Sequence, residues 1–259
     1  MRRLALAAGF GFLYLPLAVL IVLSFNDSRL VTQWSGASLR WYVALARDER
    51  MWEAVVVSLQ VAALAASLAT LLGAAVGYAL ARFGRFRGRA WLLAIVLAPL
   101  VLPEVITGLA LLLTFVELEQ LIGWPIERGV DTLAIAHATF AIGYVAVVVR
   151  ARLDGTDPAL EEAAADLGAA PWQVLWCVTL PLLLPALAAG WLLAFTLSLD
   201  DLVIASFVSG PGATTLPMQV FASVRLGLDP RINALGTLTV AVVAVAVLAT
   251  TAVLARRER

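Results

Sequence analysis

The sequence predicts an all-α polytopic membrane protein. Of its 259 residues, 62% are hydrophobic and only 14% are charged, whereas ordinary soluble domains contain about 45–50% apolar and about 25% charged residues. A soluble fold of this size would need more polar side chains than this to cover its surface. The chain also contains six apolar runs, each near the length of about 20 residues that a helix needs to cross a bilayer.

The apolar runs define six predicted transmembrane helices. In chain order they are Leu4–Ser24, Ala54–Ala81, Ala90–Val116, Thr132–Val149, Pro185–Val208 and Ile232–Ala255. The first run is longer than the apolar part of a signal peptide, and no small-x-small cleavage site precedes Asn26, so we expect a retained membrane anchor. In the second run, Gly73 and Gly77 form a small-xxx-small pair that is typical of close helix packing.

The arginine distribution predicts the orientation. All 18 basic residues are arginine. If the N-terminus is cytoplasmic, eleven arginines lie in inside segments and seven in outside segments, although four of the seven fall in the first outside loop. The inside set is Arg2, Arg3, Arg82, Arg85, Arg87, Arg89, Arg150, Arg152, Arg256, Arg257 and Arg259. The positive-inside rule therefore favours a cytoplasmic location for both termini.

The remaining composition excludes several functional classes. The formal net charge is zero and no basic tail occurs, which argues against nucleic-acid binding. The absence of lysine removes Schiff-base chemistry and the lysine of an ATPase P-loop. Cys177 and His137 are the single cysteine and histidine, so neither an internal disulfide nor a multi-Cys or multi-His metal site can form. With no HExxH or GxSxG motif either, we expect no catalytic residues and no metal, and an intramembrane enzyme is a remote alternative.

The segment between the fourth and fifth spans is polar, but its residues favour helix formation. It is predicted to contain a capped helix, a glycine turn and a second helix, with the following signals: Thr156 or Asp157 as the cap, Pro158 in the first turn, Gly168 at the break, Pro171 at the second start, and Pro181 and Pro185 as the close. Such a segment on the membrane surface is suited to binding another protein. A simple amphipathic connector is the alternative.

This segment carries a resemblance to a known family. The run EEAAADLGAAPWQVLWCVTLP resembles the EAA loop of binding-protein-dependent ABC importer permeases, with Val178 where isoleucine is commoner. The matching positions are Glu162, Ala163, Ala164, Gly168, Val178, Leu180 and Pro181. The resemblance implies a type I ABC importer permease (MetI-like) fold, and it implies that residues 159–172 enter a cleft of the ATPase subunit. The ATPase-coupling residues are then Glu162, Ala163, Ala164, Gly168, Leu180 and Pro181.

Further stretches narrow the resemblance to the putrescine/spermidine permease subfamily, and most of all to the second permease subunit of the putrescine system. These stretches include FNDSRLVTQWSG, RFGRFRGR, APLVLPEVITGLALLL, IGWPIERG and SLDDLVIASFVSGPGATTLPMQVFASVRLGLDPRINALGT. The resemblance implies a bacterial inner-membrane location and import of putrescine and spermidine. It also implies a homologous partner permease, an ABC ATPase dimer and a periplasmic polyamine-binding protein. No cofactor is expected on this chain, since ATP and Mg²⁺ would bind the ATPase.

Three domains follow from these expectations. Residues 1–53 are expected to form an N-terminal transmembrane anchor and the first periplasmic loop. Residues 54–255 are expected to form the ABC permease domain, including a cytoplasmic EAA loop at residues 150–184. Residues 256–259 would be a cytoplasmic tail.

Acidic residues within apolar runs mark a candidate substrate path. An ionised side chain near the centre of a membrane helix costs about 2.5–3.5 kcal/mol on insertion scales, so such residues usually face a cavity or pathway. Glu104 follows Pro103 in the third span, while Asp200 and Asp201 lie late in the fifth, with Thr196 one turn before Asp200. Unpaired carboxylates suit a passing diamine or triamine. Adjacent aspartates point about 100° apart on a helix, so we expect one of the two to face the path and the other to cap a helix end or to pair with the partner permease.

The same residues also allow other solutes. An amino acid or iron(III) permease of the same fold is the main alternative, because carboxylates also bind hard cations. An anion carrier would require basic groups or helix N-termini in the path. The aromatic residues Trp191, Phe195 and Phe207 offer cation–π contacts but are expected to pack, and His137 is expected to be a hydrogen-bonded core residue.

Overall fold

The computed structural model describes residues 2–30, 33–227 and 229–257, and most of this part of the chain is helical. The end of the predicted tail, Glu258 and Arg259, lies outside the described residues. The helices are α1 (Arg2–Ser24), α2 (Arg40–Ala46), α3 (Glu49–Arg82), α4 (Arg89–Val101), α5 (Glu104–Ile122), α6 (Val130–Asp154), α7 (Ala159–Asp166), α8 (Pro171–Val174), a π-helical turn (Leu175–Thr179), α9 (Leu180–Leu199), α10 (Val203–Val208), α11 (Leu216–Leu226) and α12 (Pro230–Arg257).

The lengths of these helices confirm the all-α polytopic fold. Among the described residues, five helical stretches are long and apolar enough to cross a bilayer, and two shorter apolar helices accompany them. The long stretches are Glu49–Arg82, Glu104–Ile122, Val130–Asp154, Pro171–Leu199 and Pro230–Thr251, and the shorter ones are Ala8–Ser24 and Arg89–Val101. Each of the six predicted spans overlaps at least one of them.

The third predicted span is divided into two helices. Helix α4 ends at Val101 and α5 begins at Glu104, while Leu102 and Pro103 are extended, with ψ angles of 141° and 136°. Proline lacks an N–H and disfavours helical geometry in the residue before it, which accounts for the break. The prediction of one continuous helix over Ala90–Val116 was wrong.

The fifth predicted span also differs from the expected helix. Pro181 and Pro185 were expected to end a helix, but helical structure continues from Pro171 through the π-turn to Leu199. Pro181 is the second residue of α9, where a missing N–H costs little, and it directly follows the wider hydrogen-bond spacing of the π-turn. The span then breaks at residues 200–202 before α10, so the prediction of a continuous helix over Pro185–Val208 was wrong.

The chain divides into two compact units, residues 1–53 with 219–259 and residues 54–218. In the first unit, α12 packs against both α1 and α2. Gly236 allows the approach of α1, because a Cβ there would lie 3.2 Å from Leu20. At the start of α12, the Arg231 guanidinium pairs with Asp48 at 2.6 Å and with Asp229.

A buried asparagine organises the loop after α1. Asn26 is only 2% exposed; its amide donates to the Gln33 carbonyl at 2.7 Å, and its side-chain oxygen accepts from the Ser35 N–H at 3.0 Å. The Trp41 indole N–H donates to the Asn26 carbonyl at 2.7 Å. These bonds tie the loop to α2, so the described part of the FNDSRLVTQWSG stretch is a folded element.

The second unit is built around α6, of which more than half of the residues are buried. Helices α4 and α9 pack against it. Gly73 and Gly77 of α3 face it closely, because added Cβ atoms would lie 2.7 Å from Val145 and 2.8 Å from the Ala146 carbonyl. The predicted close packing of this glycine pair is confirmed. Much of the remaining apolar surface of the unit is exposed, as a lipid-facing protein requires.

Candidate functional site

The segment after α6 forms the predicted helix, glycine turn and second helix. Asp157 accepts a hydrogen bond from the Ala159 N–H at 3.0 Å, which caps the start of α7. At the other end, Gly168 has a φ of 87°, and the Gly168 and Ala169 N–H groups donate to the carbonyls of Ala165 and Ala164 at 2.9 and 3.1 Å. This is a Schellman cap, which requires the left-handed conformation that glycine adopts without strain.

The second helix starts at its predicted residue. Pro171 is the first residue of α8, where its missing N–H has no intrahelical partner to lose. Gln173 folds back, and its side-chain oxygen accepts from the Ala170 N–H at 2.7 Å. The two short helices and the turn between them are therefore fixed by local hydrogen bonds.

The exposed face of this segment is suited to a protein partner. Glu162 and Ala163 are exposed, and Ala164 is half-buried. Leu167 is 90% exposed and Trp172 65% exposed, so two large apolar side chains flank the glycine turn. Leu180 and Pro181 start α9, directly after the π-turn, and that turn contacts α7. The structure thus places Glu162, Ala163 and Ala164 on α7 and Gly168 in the turn after it, whereas Leu180 and Pro181 belong to the membrane helix that follows.

A buried ion pair that the sequence did not reveal anchors α7. Glu161 accepts a hydrogen bond from Arg82 Nε at 2.8 Å and a second from the Thr179 hydroxyl at 2.8 Å. Arg82 Nη1 also donates to the Leu153 carbonyl at 3.2 Å. The side chains of Arg82 and Glu161 are 13% and 16% exposed. We name these three residues, Arg82, Glu161 and Thr179, the Glu161 cluster.

The Glu161 cluster relates two loops of the chain. Arg82 is the last residue of α3 and begins the RFGRFRGR loop, while Glu161 lies in the EAA loop. Their contact means that both loops emerge at the same end of the second unit. This agrees with the arginine pattern, which predicts both loops on one side of the membrane.

The candidate path acids lie at the two helix breaks of the second unit. Glu104 is the exposed first residue of α5, directly after the extended residues Leu102 and Pro103. Asp200 is exposed and follows the last residue of α9. Thr196, one turn earlier, is also exposed, and its hydroxyl donates to the Leu192 carbonyl of its own helix at 2.8 Å. Two of the three acids can therefore meet a solute.

Asp201 has a different environment. Its side chain is 7% exposed, and Oδ1 accepts from the Ala205 N–H at 2.8 Å while lying 3.4 Å from His137 Nε2. His137 is 2% exposed, and its Nδ1 is hydrogen-bonded to the Ser198 hydroxyl at 2.7 Å. The expectation of a hydrogen-bonded core histidine is confirmed. Asp201, by contrast, is partnered, so the description of three unpaired acids was wrong for this residue.

The helices that follow the two breaks pack against each other. Helix α5 contacts α10, and a Cβ at Gly108 would lie 2.8 Å from the Phe207 ring. Among the described residues, no hydrogen bond joins Glu104 to Asp200 or Asp201, and no group of three potential metal ligands occurs. The carboxylates thus form separate acidic positions rather than one chelating centre.

The aromatic side chains near these positions are packed. Trp191 and Phe195 stack at a centroid distance of 5.1 Å, and both contact the buried core of the second unit. The Trp191 indole N–H donates to the Ser67 hydroxyl at 3.2 Å. Phe207 faces Gly108, as described above. The expectation that these rings pack is confirmed.

Comparison with known proteins supplies the family context. Residues 69–259 match the family described as the binding-protein-dependent transport system inner membrane component. This range contains the EAA loop, the Glu161 cluster and all three candidate path acids.

Two relatives match nearly the whole chain. The chain is 55% identical over 258 residues to the "Putrescine transport system permease protein PotI" of Escherichia coli strain K12, covering 100% of this chain and 92% of that protein. It is 38% identical over 244 residues to the "Spermidine/putrescine transport system permease protein PotC" of the same strain, covering 94% and 90%.

A solved structure shares the fold. A chain of the bacterial alginate ABC transporter, solved in complex with an alginate pentasaccharide-bound periplasmic protein, superposes with a TM-score of 0.71 at 18% identity, covering 99% of this chain and 93% of that one. At this identity the likeness concerns the fold alone.

Proposed function

Because the chain belongs to the family of binding-protein-dependent transport system inner membrane components, we propose that it is the permease subunit of an ATP-driven importer of polyamines, with putrescine as the main solute and spermidine as a second. The observation that carries this proposal is the 55% identity, over the whole chain, to a putrescine permease. The fold and the exposed carboxylates at two helix breaks support it.

The chain is a transport component of the inner membrane and not an enzyme. In the proposed complex, a separate ABC ATPase dimer binds ATP and Mg²⁺. The sequence agrees with this division, since it contains no lysine and therefore no P-loop.

The coupling helix α7 is proposed to enter a cleft of the ATPase. Support comes from the exposure of Glu162, Ala163 and Leu167, since no described part of this chain covers that face of the segment. Gly168 sets the direction of the exit from α7 through its Schellman cap. The ATPase would thus hold a short helix whose two ends are rigidly defined.

The orientation follows from the same assignment. We place both termini and the EAA loop in the cytoplasm, and residues 26–53 and 209–230 on the periplasmic side. The excess of arginine in the inside segments supports this orientation. The polyamine-binding protein would then dock on the periplasmic loops.

Transport is proposed to proceed by alternating access between this chain and a homologous partner permease. Closure of the ATPase dimer would move α7 and the helices attached to it, and ATP hydrolysis would reset them. Each ligand shifts this equilibrium only by its differential affinity for the two states. Glu104 and Asp200 would offset the loss of water from the ammonium groups of the polyamine at successive points of the path.

The alternative solutes require different arrangements of carboxylates along the path. Iron(III) needs several oxygen ligands converging on one ion, and the described carboxylates do not form such a group. Two separate acidic positions are better matched to a long cation with two or more charges. A polyamine is therefore favoured over iron(III), and the 55% identity to a putrescine permease favours it over an amino acid.

The proposal can be tested in cells. Deletion of the gene for this chain should abolish energy-dependent uptake of radiolabelled putrescine, and reintroduction of the gene should restore it. Excess unlabelled spermidine should compete with the label, whereas excess iron(III) or amino acids should not. Unchanged putrescine uptake in the deletion strain, after removal of other polyamine importers, would contradict the proposal.

A further inference from the structure

The Glu161 cluster joins four segments of the second unit. Arg82 ends α3, the Leu153 carbonyl lies near the end of α6, Glu161 lies in α7, and Thr179 ends the π-turn that precedes α9. Of these, α7 is the helix proposed to bind the ATPase. The three other segments lead directly into the membrane helices that form the packed centre of the unit.

The chemistry of the cluster makes Glu161 its centre. One carboxylate oxygen accepts from Arg82 and the other from Thr179, each at 2.8 Å. Charge-assisted hydrogen bonds of this length are roughly twice as strong as neutral ones. Thr179 is 1% exposed, so its hydroxyl has little access to water as a substitute partner.

The neighbouring glutamate does not share this role. Glu162 is exposed on α7 and makes no hydrogen bond or ion pair with any described side chain. The family motif singles out Glu162, which faces outward. Glu161 instead points back into the chain, where it can transmit a displacement of α7.

The helices tied by the cluster are packed too tightly to slide independently. Gly77 of α3 lies against Val149 of α6, with a virtual Cβ only 2.9 Å from the Val149 Cβ. Gly190 of α9 lies against Val145 of α6. A packed core of this kind is rigid, so a movement of α7 that reaches Arg82 and Thr179 is passed to α3, α6 and α9 together.

From this arrangement, and resting on the proposed function, we propose that Arg82, Glu161 and Thr179 are positioning residues that couple α7 to the membrane helices. If the cluster is broken, α7 still binds the ATPase, and ATP is still hydrolysed. The membrane helices then follow α7 incompletely, so fewer solute molecules cross for each ATP consumed.

The test needs variants that break the Glu161 cluster without unfolding the chain. Removal of Glu161 alone would leave Arg82 buried with one carbonyl acceptor, and its Nη2 already has no hydrogen-bond partner among the described residues. Such a buried unpaired charge is strongly destabilising. The better variants are Thr179→Val, which keeps the side-chain shape, and the double change Arg82→Met with Glu161→Leu, which removes both charges. Thr179→Ser, which keeps the hydroxyl, is the conservative control.

The matched control for loss of an ion pair is Asp154→Asn. Asp154 pairs with Arg150 at 3.4 Å, but their side chains are 54% and 40% exposed. Exposed pairs of this kind contribute little. This control should therefore behave like the parent complex.

The experiment uses the complete complex in proteoliposomes, with partner permease, ATPase and receptor. We expect Thr179→Val and the double variant to lower putrescine uptake per ATP hydrolysed by about fivefold or more, within the usual range of coupling effects, and Thr179→Ser and Asp154→Asn to retain the parental ratio. A structural role alone would reduce the amount of assembled complex without changing this ratio.

A second measurement does not depend on the solute. Spin labels at Arg85 and Asp166, both exposed, report the distance between the end of α3 and α7 once Cys177 is replaced. We expect a narrow distance distribution in the parent with ATP or ADP and a broader one in the double variant. Failure of the parent complex to take up putrescine would contradict the proposed function, and the spin labels would then decide the coupling role. Parental uptake ratios in Thr179→Val and the double variant, or an unchanged distribution, would overturn the proposal.

Discussion

The imidazole Nε2 of His137 lies 3.4 Å from Oδ1 of Asp201, and the same oxygen accepts a hydrogen bond from the Ala205 N–H at 2.8 Å. This close approach places the break after α9 beside the buried His137 of α6. It also divides two adjacent acids into different roles. Asp201 stabilises the break, whereas Asp200 remains exposed beside it.

The first prediction concerns the path acids. Glu104→Gln and Asp200→Asn keep the side-chain shape and remove only the charge. We expect at least one of them to lower polyamine uptake about tenfold or more, equivalent to about 1.4 kcal/mol, with assembly and basal ATP hydrolysis preserved. Uptake within twofold of the parent in both variants would show that these carboxylates are not part of the path.

The second prediction concerns Asp201. Asp201→Ala removes the acceptor of the Ala205 N–H, and loss of such a cap costs about 1 kcal/mol. We therefore expect a lower thermal unfolding temperature for the purified complex. Asp200→Ala is the matched control and should leave the unfolding temperature nearly unchanged. Equal effects of the two alanine variants would contradict the division of roles.

The fold was predictable where the length of an apolar run determines the structure. Each of the six apolar runs overlaps an apolar helix. The cap at Asp157, the turn at Gly168 and the start at Pro171 follow from local chemistry. The breaks were less predictable. Proline alone does not reveal whether a helix continues, since Pro103 lies at a break while Pro181 and Pro185 lie within a continuous helix. That outcome depends on the preceding π-turn, which has no sequence signal.

The third prediction concerns the turn after α7. A β-branched residue at Gly168 is strained, because the φ of 87° is left-handed and costs an ordinary residue about 1–2 kcal/mol. We expect Gly168→Val to leave receptor docking intact and to remove receptor-stimulated ATP hydrolysis. Gly155→Ala is the control, since Gly155 has an ordinary φ of −89°. Parental stimulation in Gly168→Val would argue against the role of this turn.

The fourth prediction concerns helix packing. Gly73→Ala places a methyl group against Val145 and the Ile142 carbonyl, and overpacking of this kind costs about 1–3 kcal/mol. We expect a lower unfolding temperature in detergent. Gly11→Ala should be tolerated, because no other described residue lies within 4 Å of a Cβ at that position. Equal unfolding temperatures for Gly73→Ala and Gly11→Ala would contradict close packing at Gly73.

The fifth prediction concerns orientation. After replacement of Cys177, cysteines at Arg87 and Asp166 should react only with thiol reagents that cross the membrane. A cysteine at Gln33 should react with impermeant reagents added to intact spheroplasts. Labelling of position 166 by an impermeant reagent would overturn the orientation.

The geometry of the candidate site was predictable in part. The spacing of the EAA motif selects Glu162 and Gly168 as candidates, but it does not indicate which of two adjacent glutamates faces inward. Arg82 and Glu161 are 79 positions apart, so their pairing arises from tertiary packing. The partner of Asp201 is similarly distant, because His137 lies on another helix. Neither pairing has a local sequence signal, because each joins residues of different helices.

The account depends most directly on the movement of polyamine by the complex that contains this chain. The decisive measurement is accumulation of labelled putrescine in proteoliposomes that contain the two permeases and the ATPase dimer, with the loaded receptor on the receptor-docking side and ATP on the ATPase side. The account predicts ATP-dependent and receptor-dependent accumulation, which spermidine reduces and an amino acid does not. Receptor-stimulated ATP hydrolysis without putrescine accumulation, or accumulation of another class of solute in its place, would contradict it.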